Sequence, residues 1–266
     1  MQNQLLQALA ADYHWQYALI AGVAIAALSK LSKWLLVALV PAFAESAKMN
    51  ADAFAKKMEN PRYAANQKWN AKWGAVDTIV IFGLILPFCL TMDAQPWWRV
   101  GRDIFVILMV YDFFYYLVHR FLFHDGGFGP GPLLWVHAVH HRQHNPCRND
   151  GSYIHPIEVA LGLGLYAACI FVLSRFLGDF HVVTIVLTWL AFSQINQHNH
   201  DLWSEKFPIR YLNTMSVMHH NHHGRFTGGN FATISLLYDW MFGTLDYGQG
   251  WTRKALAPDP KEMQET

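Results

Sequence analysis

The sequence has little charge. Only 15% of its 266 residues are Asp, Glu, Lys or Arg, whereas about 25% is usual in a soluble domain. The 20 basic and 19 acidic residues leave a net charge of +1, so no overall field attracts a polyanion and we expect no nucleic-acid partner. Hydrophobic residues make up 53% and aromatic residues 15%, which argues against disorder and against a coiled coil.

Cysteine is also scarce and forms no motif. The three cysteines are Cys89, Cys147 and Cys169, and no CxxC pair occurs. An odd count without metal-ligand spacing supports neither a disulfide framework nor a thiolate zinc site. Any metal site would therefore use nitrogen or oxygen ligands. The N-terminus also lacks early positive charge, since the first basic residue is Lys30, and it does not resemble a signal peptide.

Long apolar runs are abundant. They lie at about Trp15–Ser29, Trp34–Ala44, Val76–Met92, Ile104–Val118 and Ile157–Leu177, with a weaker run at Val182–Ile195. A spanning helix needs about 20 apolar residues, and the mean hydropathy of +0.12 leaves room for a sizeable polar portion. We therefore expect an all-α, multi-pass membrane protein rather than a soluble helical one. The first two runs predict either one long helix or a span followed by an interfacial segment.

Four of these runs pair into two predicted hairpins. Val76–Met92 and Ile104–Val118 are joined by a connector with adjacent Trp and Arg residues, which is typical of a membrane–water interface. Ile157–Leu177 and Val182–Ile195 are joined by the short connector Gly178–His181. The sequence therefore predicts about four transmembrane helices in two hairpins.

Two hairpins place three polar segments on one side of the membrane. These segments are Glu45–Ala75, Arg120–Pro156 and Asn196–Thr266. The first carries six basic and three acidic residues, so the positive-inside rule predicts that this side is cytoplasmic. We expect a helical cap on that side.

Histidine is over-represented and clustered. Of 15 histidines, 14 lie between His119 and His223. An H-x4-H pair follows the fourth apolar run, and two H-x2-H-H triplets begin at His137 and His219. Positions i, i+3 and i+4 share one face of a helix, so each triplet projects three imidazoles from one stripe. Such rings are best explained as neutral ligands of a cation. Isolated His14 and His181 are interpreted as ordinary polar residues.

The histidine count indicates more than one metal ion. Eight motif histidines exceed the four ligands of one tetrahedral zinc, whereas two metals with four or five ligands each fit. Imidazole suits iron, zinc and copper alike. The H-x4-H pair lies about 140° apart on a regular helix, so a π-bulge, an unwound turn or ligation of two different metals would be required.

The order of these motifs resembles the fatty acid hydroxylase (sterol desaturase) superfamily. Further matching pieces are Tyr111-Asp112, Leu117-Val118-His119-Arg120, Trp135-Val136-His137, His155-Pro156-Ile157-Glu158, Gly229-Asn230-Phe231 and the segment 238–244. The resemblance covers about Asp103–Asp246. It implies an integral-membrane oxygenase with a histidine-ligated dinuclear iron centre on a cytosolic helical cap. We accordingly divide the chain into membrane or interfacial helices (1–102), a catalytic region (103–246) and a polar tail (247–266).

The resemblance also implies a ligand set. The expected metal ligands are His119, His124, His137, His140, His141, His219, His222 and His223, with His198 as a ninth. Some members carry a second histidine where this chain has Gln194, so Gln194, His200 or water fills one further position. His144 and His155 are possible additional ligands or supporting residues, and His220 is expected to point away from its triplet's shared face.

Ligand histidines usually need an acceptor on their second nitrogen. Asp112 lies seven residues before His119 on the same helical face and is a candidate, as are Asn230 and Asp239. A role as helix caps or interfacial polar residues is the alternative.

The expected activity is O2-dependent hydroxylation of a fatty acyl, sterol or related lipid by two irons per chain, for which zinc can substitute on purification. Desaturation or C-4 methyl oxidation on the same centre is the alternative. A metal transporter is less favoured because the histidines lie at span ends, and a bis-histidine haem carrier would need paired single histidines in facing helices.

The chain shows no flavin, nicotinamide or haem motif. Electrons are therefore expected from an external donor, a b-type cytochrome or a ferredoxin with its reductase. The expected location is a bacterial inner membrane rather than the endoplasmic reticulum. The lipid and the attacked carbon stay open.

Overall fold

The computed structural model describes residue 7 and residues 10–250. The predicted polar tail lies outside the described residues from 251 to 266. The described region is predominantly helical, and four of its helices are long and apolar enough to cross a membrane, at Trp15–Leu39, Pro61–Phe88, Trp97–Phe123 and Pro156–Leu177. The expectation of an all-α membrane protein with about four spans is confirmed.

A proline separates the first two helices. Helix α1 (Trp15–Leu39) covers the first apolar run and the second as far as Leu39, so one long helix joins the two runs up to that residue, and the last residues of the second run, to Ala44, lie in the next helix. Helix α1 ends because Val40 precedes Pro41 and adopts an extended conformation, with φ −123° and ψ 106°, as residues before proline prefer. Pro41 then occupies the first turn of α2 (Pro41–Met58), where its missing N–H costs nothing.

Helix α3 (Pro61–Val80) begins 15 residues before the predicted span at Val76. Asn60 caps it by accepting a hydrogen bond from the backbone N–H of Arg62 at 2.9 Å. The helix continues through a π turn and a 3-10 turn to Phe88. Its polar first half extends beyond the apolar run because it contacts other polar segments. Asn70 Nδ2, for example, donates to the carbonyl of Ile154 at 2.6 Å.

The later apolar helices form the two expected hairpins. The arms are α4 (Trp97–Val118), α6 (Pro156–Leu177) and α7 (Val182–His198) with the end of α3. Strand β1 (Leu90–Thr91) pairs in parallel with β2 (Phe180–His181), so both hairpin connectors lie at one end of the bundle. Helix α7 has 17 residues, fewer than the roughly 20 that a span needs, and α1 supplies the fourth candidate span instead.

The bundle packs around aromatic side chains and leaves its outer faces apolar. Tyr111 of α4 contacts Tyr166 and Phe192, with ring centroids 5.9 and 5.0 Å apart, and all three are buried. Outward-facing residues of the spans, such as Ile79 and Phe176, are 70% and 81% exposed. Apolar exposure on this scale is expected of a surface that faces lipid.

The polar segments meet at the end opposite to the strands. Asn50 Oδ1 accepts hydrogen bonds from the backbone N–H groups of Arg148 and Leu202 at 2.8 and 3.0 Å, and Lys57 forms an ion pair with Asp150. These contacts join α2 to both other polar segments, which contain short helices. They are α5 (Leu134–His137), α8 (Ile209–Leu212), α9 (Thr214–Gly224) and α10 (Leu237–Met241). We call this end the cap.

Candidate metal centre

Nine buried histidines of the cap form two groups. The five-histidine group contains His119, His124, His137, His141 and His222, and the four-histidine group contains His140, His200, His219 and His223. Within each group, one ring nitrogen from every member lies within 4.8 Å of the others. The structure thus brings all eight motif histidines together and adds His200.

A π turn places the H-x4-H pair in one group. The turn covers His119–Phe123 at the end of α4, and the backbone N–H of His124 donates to the carbonyl of His119 at 3.1 Å. One extra residue in this turn compensates for the five-residue spacing, so both rings join the five-histidine group. The π-bulge alternative is therefore confirmed.

Each H-x2-H-H triplet is shared between the two groups. His137 and His141 belong to the five-histidine group and His140 to the four-histidine group. The second triplet divides in the opposite sense, with His222 in the larger group and His219 and His223 in the smaller. The i and i+4 rings point to one side of the common face and the i+3 ring to the other. The stripe predicted from the spacing thus lies between the groups.

Hydrogen bonds determine which nitrogens of the five-histidine group face inward. The Nδ1 atoms of His119, His124 and His222 lie 2.6, 2.9 and 2.7 Å from the carbonyl oxygens of Phe231, Phe226 and Gly229. His137 Nδ1 lies 2.7 Å from Glu158 Oε1. Carbonyls and carboxylates accept, so these Nδ1 atoms carry the proton and each Nε2 presents a lone pair.

The lone pairs converge on one point. Nε2 of His137 lies 3.0 Å from that of His119 and 3.1 Å from that of His141, and Nε2 of His222 lies 3.1 and 3.2 Å from those of His141 and His119. Adjacent lone pairs repel unless a cation lies between them. Metal–nitrogen bonds of about 2.0–2.1 Å place neighbouring ligand atoms about 3 Å apart. The group therefore fits a metal ion. The buried Nε2 of His124, which has no hydrogen-bond partner in the described part of the chain, supplies a fifth donor.

The four-histidine group has the same arrangement of nitrogen atoms, but fewer hydrogen bonds orient its rings. The Nδ1 atoms of His140 and His200 lie 3.3 and 2.9 Å from the carbonyls of Tyr153 and Asn196. Nε2 of His200 lies 3.1 Å from that of His140 and 2.9 Å from that of His219. Both nitrogens of His223 are buried without a hydrogen-bond partner among the described residues. This group fits a second metal ion.

Burial keeps these rings neutral. It lowers the pKa of His140 and of His222 to about 4. Burial also lowers the pKa of His141 and His219 well below the ordinary value, and neighbouring histidines lower it further. At neutral pH the imidazoles are therefore unprotonated, as ligation requires.

His200, and not the expected His198, lies in the four-histidine group. His198 Nδ1 lies 3.0 Å from Asp201 Oδ2 and its Nε2 lies 3.0 Å from the carbonyl of Leu212, so both nitrogens are used. Burial lowers the pKa of His198, but the hydrogen bond and charge of Asp201 together with the hydrogen bond to the Leu212 carbonyl outweigh burial, so the pKa is raised. The turn that ends α7 points the ring two residues later toward the other histidines. Sequence reasoning treated this position only as an alternative.

The prediction that Asp112, Asn230 or Asp239 accepts from a ligand histidine is wrong for the described residues, because these side chains bind backbone groups and hydroxyls instead. Asp112 accepts from the backbone N–H groups of Thr233 and Ile234 at 2.9 and 2.8 Å, and Asp239 accepts from that of Phe231 at 2.8 Å. They hold the segment whose Phe231 carbonyl binds His119. Asn230, with a φ of 64°, donates to the carbonyls of Met218 and Asp246 at 2.9 and 2.7 Å.

Glu158 contacts a ligand candidate directly, and sequence reasoning missed it. In the sequence Glu158 stands out only as the last residue of His155-Pro156-Ile157-Glu158. In the structure its carboxylate binds His137, and the residue is 5% exposed. A carboxylate at the start of an apolar span is the signal that identifies it, because such groups are costly in a membrane and are usually functional.

The remaining candidates lie outside both groups. His144 is exposed, and its Nδ1 lies 3.4 Å from the carbonyl of His223. His155 caps α6 by accepting from the backbone N–H of Ile157 at 3.2 Å. Gln194 Oε1 accepts from Arg148 Nη2 at 2.6 Å. These side chains contribute to the cap rather than to the converging nitrogens.

A cavity of about 440 Å³ connects the histidines with the spans. Its wall includes members of both groups, His119 and His137 from one and His140, His200 and His219 from the other. Toward the spans the wall is aromatic and aliphatic, with Tyr111, Tyr115, Leu163 and Phe192. A volume of this size is typical of small-molecule sites.

Known proteins are similar in sequence to the part of this chain that contains the clustered histidines. The fatty acid hydroxylase family model matches residues 104–244, more than half of the chain. Fatty acid 2-hydroxylase from Homo sapiens is 27% identical over 138 residues, covering 49% of this chain and 36% of that protein. C-4 methylsterol oxidase from Schizosaccharomyces pombe is 31% identical over 173 residues, covering 59% and 54%.

A third similar protein is a very-long-chain aldehyde decarbonylase from Oryza sativa, which is 26% identical over 182 residues, covering 65% of this chain and 61% of that protein. The chain thus spans between about a third and three fifths of the length of the curated relatives it matches. No solved structure matches it.

Proposed function

The chain belongs to the fatty acid hydroxylase family, and from this premise we propose that it is a membrane-bound, O2-dependent oxygenase that hydroxylates a lipid. One observation carries the proposal: unpaired imidazole nitrogens from two buried groups converge beside a cavity that extends into the apolar bundle. Nine neutral imidazoles are compatible with a redox-active metal such as iron, and the relatives that the chain matches include a fatty acid 2-hydroxylase and a C-4 methylsterol oxidase.

The two histidine groups are proposed to hold one iron ion each. Bound there, the pair of irons supplies the activation of O2 and the removal of hydrogen from an unactivated C–H bond. The five-histidine group offers five neutral nitrogen donors and the four-histidine group offers four, and all nine side chains are buried. Nitrogen ligands are compatible with iron, so zinc found after aerobic purification would be a substitute.

The protein's own residues position the reactants. Glu158 orients His137 through its Nδ1–H, in the manner of the outer carboxylates that orient metal-bound histidines. Tyr111, Leu163 and Phe192 form the apolar portion of the cavity, which suits a lipid chain that enters from the bilayer. Proximity of that chain to the histidine groups would select the carbon that reacts.

The catalytic region is proposed to be 103–246, with residues 1–102 completing the cavity. Asn70 and Gly74 of α3 line its wall, so the N-terminal helices contribute more than anchorage. The cap is proposed to face the cytoplasm of a bacterium, where a b-type cytochrome or a ferredoxin with its reductase would deliver electrons.

The test is metal analysis combined with product analysis. Anaerobically purified protein should contain two irons per chain and no haem absorption band. Lipids from expressing cells should contain species heavier by one oxygen atom. An iron-loaded protein that receives electrons and O2 and changes no lipid would contradict the proposal.

Desaturation or oxidation of a C-4 methyl group is a second candidate on the same centre. The similarity to C-4 methylsterol oxidase favours the latter. Loss of two hydrogens, without gain of oxygen, would identify a desaturase in the same mass spectra. A metal transporter is disfavoured because its ligands would lie within the spans rather than in the cap.

A further inference from the structure

Within the described residues, the cavity wall contains one positive charge that forms no ion pair. Besides histidines, its charged residues are Lys33, Arg148 and Glu158. Arg148 binds Asp201 at 2.7 Å and Glu158 binds His137 at 2.7 Å. Lys33 forms no ion pair with any carboxylate of residues 10–250. Among the described residues, Lys33 is therefore the cation of the wall that no carboxylate neutralises.

Lys33 lies within a candidate membrane span, where a positive charge is unusual. It lies in α1, one of the candidate spans, six residues before its end at Leu39. A lysine in such a segment costs free energy unless it reaches the interface or serves a binding role. Lys30, one turn earlier and also exposed, does not line the cavity. The two lysines therefore share a helix and a solvent environment but differ in access to the cavity.

Resting on the proposed function, we propose that the cavity binds single-chain lipids with an anionic end group, carboxylate or phosphate, and that Lys33 binds this group. The amides of Gln197 and Asn149, both exposed in the same wall, offer additional N–H donors. An ammonium with neutral donors is suited to an oxyanion and gives no preference for an uncharged hydroxyl. The apolar wall at Leu163 and Phe192 then receives the chain.

The experiment measures binding rather than turnover. The iron-loaded full chain is reconstituted in phosphatidylcholine nanodiscs without O2, and the binding of palmitate, hexadecyl phosphate and hexadecanol is compared with that of empty nanodiscs. Wild-type protein should bind at least one anion about tenfold more tightly than the alcohol, which is the effect of one charge-assisted hydrogen bond. Preference for palmitate alone identifies carboxylate, and preference for hexadecyl phosphate alone identifies phosphate.

Matched variants assign the preference to one side chain. Lys33→Gln should abolish the preference while leaving hexadecanol binding unchanged, which also shows that the variant is folded. Lys33→Arg should retain it, and Lys30→Gln should behave as wild type. Equal binding of all three probes, equal effects of the two Gln variants, or loss of hexadecanol binding in Lys33→Gln would each overturn the proposal.

This outcome is separable from that of the proposed function. Selective anion binding without an oxidised product, once electrons and O2 are supplied, would reject the hydroxylase and leave the role of Lys33 intact. Oxidation of a neutral lipid by a protein that binds anions no more tightly than the alcohol would support the hydroxylase and reject the role of Lys33.

Discussion

The two histidine groups differ in how firmly their rings are held. In the five-histidine group four Nδ1 atoms are anchored, three by backbone carbonyls and one by the Glu158 carboxylate. In the four-histidine group the anchored atoms are those of His140 and His200, while His223 has no partner within residues 10–250. A pre-oriented set of donors loses less conformational freedom on binding metal. We therefore expect the five-histidine group to bind metal more tightly.

The largest expected effect is the loss of a ligand candidate from either group. His222→Ala and His140→Ala should each lower activity by at least about 100-fold, because changes beyond the ligands already cost 10–100-fold. Metal content should fall further in His140→Ala, since three histidines remain there and four remain in the other group. Product formation and metal per chain measure both effects.

His144→Ala is the control for these variants, because this exposed histidine lies outside both groups. Full activity in His222→Ala or His140→Ala, or equal damage in His144→Ala, would contradict the assignment of the groups.

Variants of His198 and His200 test which of the two histidines belongs to the four-histidine group. His200→Ala should remove metal and activity, because its Nε2 lies among those of His140 and His219. His198→Ala should retain metal, because that ring binds Asp201 and Leu212 instead. Metal analysis of the two variants distinguishes them, and the opposite result would place His198 in the centre.

Removing one anchor from the larger group should have an intermediate effect. Glu158→Gln keeps the shape of the side chain but loses the charge that orients His137, so metal affinity should fall about 10–100-fold. Competition with a chelator measures this affinity, with His144→Ala again as the control. An affinity equal to that of the wild type would show that the Glu158 carboxylate does not anchor the group.

Acidification should release metal, and the effect on metal content should be small near neutral pH. Burial lowers the pKa of His140 and His222 to about 4 in the folded chain, whereas unfolded histidine titrates near 6.5. Their contribution to stability is therefore complete above about pH 6.5 and is lost as the pH falls through about 4. Thermal unfolding and metal content between pH 7 and 4 test this. Release beginning above pH 6.5 would be inconsistent with neutral, buried rings.

Local spacing made much of this site predictable. Three short motifs were sufficient to select eight of the nine clustered histidines, because residues three to five positions apart lie close together on a helix or on short helical turns. The H-x4-H spacing predicted an irregular turn or two different metals, and the π turn at His119 is one of those alternatives. Apolar runs located the spans, but the start of α3 at Pro61 depended on contacts with the cap that no hydropathy pattern contains.

Other features depended on tertiary contacts. Whether His198 or His200 joins the centre is decided by the turn after α7 and by the position of Asp201. The role of Glu158 requires knowing that the start of α6 lies beside α5. The division of each triplet between two groups is likewise set by what packs on either side of it, so the spacing alone indicated one shared stripe.

For the proposed two-metal centre, that division implies cooperative loading of the two ions. Each H-x2-H-H turn contributes rings to both groups, so a metal held by His137 and His141 also fixes the turn that carries His140. Filling the first group thereby lowers the ordering cost of filling the second, which is positive cooperativity without direct contact between the ions. A chain that has lost one metal is expected to hold the other less tightly, and partially loaded molecules should be rare at equilibrium.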